Sequence, residues 1–420
     1  MLSRQITLLR SLTSDGRLLF STRIARLFAY GFLSVVLALY LHSAGFTDAK
    51  IGLLLSLTLV GDTVISLWIT TNADRLGRRT MLMIGAGLMI FAGVLFILTQ
   101  NYILLVIAAT IGVISPSGNE VGPFLSIEQA ALSQLLPGEK RTQVFAWYNL
   151  VGSFATALGA LCGGGMAQLL QNGGMPGLQS YKIVILGYAV MGVVLEVLFY
   201  RLSPVAEAPA SIKSDSRTLT QNWLGLHKSR NIVLKLASLF TLDAFAGGLV
   251  VQSIVAYWFY LRFHVDPAVL GGIFFGANIL AGISALSAAW VASKIGLINT
   301  MVFTHVPSNI LLILVPFMPN LPMAIIMLLL RFSISQMDVP TRQSYTMAVV
   351  EPDERSSASG ITGIARTIGA SIAPVLSTSM LANPMLGLPF IASGAIKLIY
   401  DFALYRSFQS IIPPEEHKSS

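Results

Sequence analysis

The chain has 420 residues, of which 54% are hydrophobic and only 11% charged, where a soluble domain carries roughly 25% charged residues. That balance excludes a soluble domain and marks a polytopic membrane protein; the net charge of +8 reflects basic residues in connections on one side of a bilayer, not a nucleic-acid partner. A lone cysteine, Cys162, in apolar, glycine-rich surroundings, excludes an internal disulfide and a multi-cysteine metal site and reads as a packing residue.

At about 20 residues per spanning helix, the length holds about twelve spans in one membrane domain. Residues 1–22 carry Arg4, Arg10 and Arg17 among leucines, with no small-residue cleavage site after a short apolar core. They read as a cytoplasmic lead-in, not a removable signal peptide. Apolar windows then fall near 23–43, 51–71, 80–99, 102–127, 143–169 and 182–201, a first six-helix bundle over 23–201. A polar stretch over 202–231, with Pro204, Pro209, Lys213, Asp215, Arg217, Lys228 and Arg230, is a central cytoplasmic loop. Windows near 233–261, 268–293, 297–318, 321–348, 357–380 and 386–407 make a second bundle over 232–408, and 409–420 is a cytoplasmic tail.

Arg75, Arg78, Arg79, Lys140, Arg141, the central loop, Lys294 and Arg355 all fall on even-numbered turns. The odd-numbered turns hold only Lys50, Lys182 and Arg262. This asymmetry puts both termini in the cytoplasm, and a plasma or inner membrane is expected. An internal repeat supports two halves: at one shared offset, Glu128-Gln129 falls on Arg342-Gln343 and Lys140-Arg141-Thr142 on Glu354-Arg355-Ser356. Spans four and ten are both interrupted, by Ser115-Pro116-Ser117-Gly118-Asn119-Glu120 with Gly122-Pro123 and by Asp338-Val339-Pro340. In a bilayer, such backbone persists only where it lines a cavity or the protein interior, so these spans are expected to face a binding site.

The hairpin Asp74-Arg75-Leu76-Gly77-Arg78-Arg79, between two long apolar runs, carries a second kind of information. Its order after a second span resembles the loop signature of the major facilitator superfamily of transporters, with Thr70 where a glycine usually begins it. The resemblance implies an all-α membrane fold of twelve transmembrane helices in two pseudo-symmetric six-helix bundles. It also implies that spans one, four, seven and ten line the cavity, and that Asp74 docks near Ser356 and Ser357 at the start of span eleven when the cytoplasmic side is closed. Span five (Gly152, Gly159, Gly163, Gly164, Gly165) and span eleven (Gly360, Gly363, Gly369, Pro374) resemble in part the superfamily's antiporter signature. Small residues at helical spacing serve equally for close helix packing in lipid.

Charged groups inside spans cost about 2.5 to 3.5 kcal/mol each at mid-bilayer, so they should be paired, protonated or in water. Asp62, Glu120, Asp243 and Asp338 are the candidate proton carriers, and Glu128 with Arg342 a candidate gate ion pair. Arg366 is a possible neutralising partner for Asp62. Tyr30, Asn119, Gln252, Arg331 and Gln343 are candidates for the substrate cavity and Asn309 a softer candidate for solute contact, while His305 reads as a helix-to-helix hydrogen-bonding residue. No metal-ligand spacing, nucleotide-binding glycine motif or nucleophile signature occurs, so no cofactor, metal or catalytic residue is expected. The expectation is a monomeric secondary transporter exchanging a small solute against protons, most simply in efflux. A proton-coupled importer or uniporter, and a non-transporting sensor of the same fold, remain as alternatives.

Overall fold

The computed structural model describes residues 12–119, 122–136, 138–207, 226, 228–351 and 354–409, apart from the side chains of 138–143 and 356. All regular structure among them is helical: α1 Ser14–Ser34, α2 Leu37–Ser43, α3 Asp48–Leu76, α4 Arg78–Leu98, α5 Tyr102–Ile111, α6 Phe124–Leu135, α7 Gly138–Asn172 and α8 Gly177–Tyr200. The second part of the chain adds α9 Arg230–Gly248, α10 Gln252–Phe263, α11 Pro267–Ile295, α12 Leu297–Leu314, α13 Leu321–Ile334, α14 Asp338–Ala348, α15 Arg355–Met380 and α16 Leu388–Phe408. Ten helical segments among the described residues are long and apolar enough to cross a membrane, counting α1–α2, α9–α10 and α13–α14 as continuous pairs. The fourth expected span is present in two pieces, α5 and α6, and the eleventh is α15.

The outward apolar surface is that of a membrane protein. Val64, Leu98 and Ile103 are 62%, 75% and 68% exposed within apolar stretches of their helices, a surface that hydrocarbon, not water, would cover. Contacts divide the chain into two compact units. In the first, α1 packs on α7 and α8, and α4 on α8; in the second, α9 packs on α15 and α16, and α12 on α13, α14 and α16. Residues Thr47–Ser56, at the start of α3, belong with the second unit, and Asp266–Phe275, at the start of α11, with the first.

Close helix contact explains the glycines of α7. A Cβ on Gly159 or Gly163 would run into the carbonyls of Phe28 and Phe32 on α1, so their spacing serves packing. Gly360 and Gly363 of α15 face open space instead. Cys162 lies on the exposed side of α7, contrary to its reading as a packed residue.

Two hairpins turn on single glycines: Gly77 (φ 105°) joins α3 to α4, and Gly296 (φ 84°) joins α11 to α12. A side chain would be strained in either position, and in both cases the glycine directly precedes the new helix.

The first helix begins earlier than the apolar windows imply. The Thr13 hydroxyl accepts from the Gly16 amide at 3.1 Å, and Asp15 sits in the first turn, where an acid is favoured. The described part of the expected lead-in, through residue 22, is therefore mostly helix. Arg23 and Arg26, at the start of the first apolar window, are both buried within the first unit. Residues 1–11, 208–225, 227 and 410–420, which hold half of the expected lead-in and most of the central loop and tail, lie outside the described residues.

Candidate functional site

Each unit contains a buried carboxylate at the focus of a polar network. In the first, Glu128 on α6 is fully buried, and Arg26 of α1 grips it with both terminal nitrogens, Nη1 to Oε1 and Nη2 to Oε2, each at 2.7 Å. The Thr22 hydroxyl reaches Oε1 at 2.7 Å, and the Tyr148 hydroxyl of α7 donates to Oε2. Arg26 also lies over the Phe124 ring, and Arg23 over the Tyr148 ring while donating to the Tyr148 carbonyl at 2.8 Å. A bidentate guanidinium and two hydroxyls satisfy most of what this carboxylate can accept, a condition under which a buried charge is tolerated.

In the second unit, Asp243 on α9 accepts from Lys397 Nζ of α16 at 2.5 Å, Arg366 Nη1 of α15 at 3.0 Å and Arg342 Nη1 of α14 at 3.1 Å. Arg342 Nη1 also donates to Asp338 Oδ2, one helical turn earlier, at 2.8 Å. On the neighbouring α12, His305 Nδ1 stands 2.7 Å from Asp401 Oδ1, and Asn309 Nδ2 donates to Asp401 Oδ2 at 2.9 Å. His305 thus links α12 to α16, the helix-to-helix role read from the sequence, and Asn309, read as a solute contact, shares that link. Arg331 on α13 lies over Phe332, and its Nε is buried without a hydrogen-bond partner.

The two members of the expected gate pair, Glu128 and Arg342, each have partners inside their own unit. Glu128 is paired with Arg26, and Arg342 with Asp243 and Asp338; each satisfies its charge inside its own unit. Sequence spacing favoured the other pairing because Glu128 and Arg342 hold equivalent places in the repeat, while Arg26 was hidden at the edge of an apolar window. Of the proton candidates, Asp62 is the middle residue of the 29-residue α3, half-buried, with the Ser66 hydroxyl 3.4 Å from its Oδ1. Glu120 lies outside the described residues.

Among the cavity candidates, Tyr30 is fully buried, Asn119 and Gln343 are exposed, and Gln252 accepts from Asn278 Nδ2 at 3.2 Å. Lys397, Asp401, Arg23, Arg26 and Tyr148 were not singled out by the sequence reading. Lys397 and Asp401 stand four residues apart in an otherwise apolar span, a signal that counting charges in span twelve would have caught.

The hairpin motif is an ordered hub at the end of the first unit. Arg78 Nε pairs with Asp74 Oδ1 at 2.8 Å, and Arg78 Nη1 donates to Gln134 Oε1 at 2.9 Å. Glu207, beyond α8, accepts the amides of Arg78 and Arg79 at 2.6 and 3.1 Å, placing an acid on the exposed N–H groups at the start of α4. Arg79 stacks over Tyr200, and Arg75 is exposed. The Ser356 side chain, part of the expected docking place of Asp74, lies outside the described residues.

The sequence model of the Major Facilitator Superfamily matches residues 19–405. An uncharacterized membrane protein of Saccharomyces cerevisiae is 30% identical over 423 residues, 94% of each chain. The quinolone resistance protein NorA of Staphylococcus aureus is 26% identical over 139 residues, 33% of this chain and 34% of that one. Among solved structures, the xylose transporter XylE from E. coli, in a partially occluded inward-open conformation, superposes with a TM-score of 0.71 at 15% identity. That match covers 95% of this chain and 98% of the other. A bacterial homolog of the human lysosomal transporter Spinster does so with a TM-score of 0.69 at 14% identity, over 94% and 97%. At these identities the structures speak for the fold, and the family match supplies the membership: this chain belongs to the major facilitator superfamily, with that superfamily's all-helical fold.

Proposed function

We propose that this chain exports a small solute from the cytoplasm in exchange for protons. That it is a secondary transporter in a membrane, not an enzyme, follows from its family; direction, coupling and orientation are the further reading. The observation that carries it is Asp62, a half-buried carboxylate midway along an apolar helix. At such a place a carboxyl group can take up and release a proton as its access to water changes, and the charge it would otherwise carry is costly. Glu128, Asp243 and Asp338 are tied to guanidinium or ammonium groups and suit fixed ion pairs better. Glu120 remains the second proton candidate.

The local similarity to a quinolone resistance protein favours export. We place both termini on the cytoplasmic side of a plasma membrane, because the connection that carries Arg75, Arg78 and Arg79 belongs on that side by its charge, and we take the chain to act as a monomer. One proton crossing 100 mV supplies about 2.3 kcal/mol, enough to concentrate a solute substantially.

The test is quenching of a pH dye inside inside-out vesicles while solutes are added. Wild type should release protons on solute addition, and Asp62→Asn should fold with stability within about 1 kcal/mol of wild type but lose that release. Release that survives in Asp62→Asn but not in Glu120→Gln would move the proton site to Glu120. Co-movement of solute and protons in one direction would replace antiport by symport.

A further inference from the structure

The ninth and twelfth spans, α12 and α16, meet through a polar contact where the matching helices of the first unit use glycines. There α4 and α8 pack closely: a Cβ on Gly93 would meet Ala189, and one on Gly192 would meet Ile90 and Met89. In the second unit α12 and α16 instead bring together His305, Asn309 and Asp401, all buried. His305 Nδ1 lies 2.7 Å from Asp401 Oδ1, and Asn309 Nδ2 donates to Asp401 Oδ2 at 2.9 Å and stands 3.3 Å from His305 Nδ1. Packing two such helices does not require a carboxylate, so the penalty of burying one calls for another use.

Asp401 differs from other buried carboxylates of the spans in what holds it. Glu128 is gripped by Arg26, Asp338 by Arg342, and Asp243 by Lys397, Arg342 and Arg366. A guanidinium keeps its proton at any working pH and offers no exchange there. The oxygens of Asp401 are engaged by an imidazole and an amide, and imidazole is the side chain whose ordinary titration falls between about pH 5 and 8. With one proton between Nδ1 and Asp401 Oδ1, Nε2 can take a second from water and later return it, and the contact between the two side chains persists throughout. Their side chains are 5% and 1% exposed, so a proton taken there is retained until the surrounding helices shift.

The charged groups that face this pair from the helices packed around it are otherwise fixed. Asp243 of α9, Asp338 and Arg342 of α14 and Arg366 of α15 are joined in ion pairs, and α13 supplies Arg331, an arginine like the others. On α16 itself, the Tyr400 ring meets His305 edge-on at 6.0 Å. Lys397 connects the two sites. It lies one helical turn before Asp401 on the same face of α16, and its Nζ reaches Asp243 Oδ1 at 2.5 Å. Positive charge gained by His305 therefore acts on the ammonium that holds α16 to α9.

We propose that the His305–Asp401 pair is a proton-binding site, loaded and emptied near neutral pH, whose charge is transmitted through Lys397 to the cations on Asp243. This deepens the proton-exchange reading and rests on it for the use made of the proton, while the binding itself needs no solute. Lys397 is a positioning residue in this scheme.

The experiment follows imidazole signals by NMR in the purified full chain in detergent, with isotope-labelled histidine, from about pH 5 to 9. Of the five histidines, His42, His227, His264 and His417 are changed together to glutamine, which leaves His305 as the sole reporter. Its signal should titrate within that range. Asp401→Asn should displace the midpoint by about one pH unit or more and Lys397→Met by about half a unit or more, because a carboxylate in contact and an ammonium one turn away both bear on a charged imidazole.

A His305 signal constant across the range, or a midpoint that Asp401→Asn leaves in place, would overturn the site. A midpoint indifferent to Lys397→Met would overturn its link to Asp243. Should either variant not fold, Asp401→Glu and Lys397→Gln replace them with the same expected displacement of the midpoint. Failure here leaves Asp62 as the proton carrier and the exchange reading intact. A titrating pair, in a protein whose vesicles release no proton with any solute, would support the site and remove the exchange.

Discussion

The carboxylates Glu128 and Asp243 are both buried and both hydrogen-bonded to arginine, yet they are built for different work. Glu128 meets one guanidinium in a bidentate grip and two hydroxyls, so its charge is matched and its neighbourhood closed. Asp243 meets three cations from three helices, one of them partly exposed, so its charge is outnumbered and its neighbourhood open on one side. A matched pair holds helices together. A carboxylate shared by three cations ties together the three helices that carry them, and counting charges around each group distinguishes the two where burial alone does not.

The largest expected effect is at the outnumbered site. Asp243→Asn leaves Lys397 and Arg366 without their carboxylate and should cost about 3–5 kcal/mol, seen as loss of monodisperse protein on gel filtration in detergent. Adding Lys397→Met should recover folded protein, because it removes one of the stranded cations. A double variant no better than the single would mean that charge balance is not what Asp243 provides.

At the matched site, Glu128→Gln strands Arg26 and should lower stability by about 3 kcal/mol in thermal unfolding, whereas Glu128→Leu combined with Arg26→Met should come back close to wild type. Transport by that double variant would establish the site as structural, and its loss in a well-folded protein would erase the contrast drawn here. A smaller change is expected at the hairpin hub. Glu207→Gln weakens the acid at the start of α4 and should cost about 0.5–2 kcal/mol by the same measurement. Smallest of all is Lys228→Ala, which breaks a surface pair with Glu351 that is 75% and 45% exposed and should move stability by about 0.5 kcal/mol or less.

Much of the fold was legible in the chain because a bilayer makes hydropathy decisive. Gly77 between two apolar runs, Gly296 at the matching place in the second half and the broken fourth and tenth spans could all be read as local backbone statements, and each has its counterpart in the helices. The site was less legible. Arg26 lies near the start of an apolar window, and nothing in its sequence neighbourhood joins it to Glu128 until α1 is seen to begin at Ser14. Lys397 and Asp401 lie far along the chain from Asp243 and His305, and no spacing rule joins them.

The sequence by itself therefore determined the class of molecule, the order of its spans, the charged hairpin and the list of costly groups in apolar surroundings, since each depends on residues that are neighbours along the chain. Only the tertiary structure decided which charge answers which. Partners for a buried carboxylate come from whichever helices pack against it, and that choice placed Arg26 on Glu128 and gathered Arg342, Arg366 and Lys397 around Asp243.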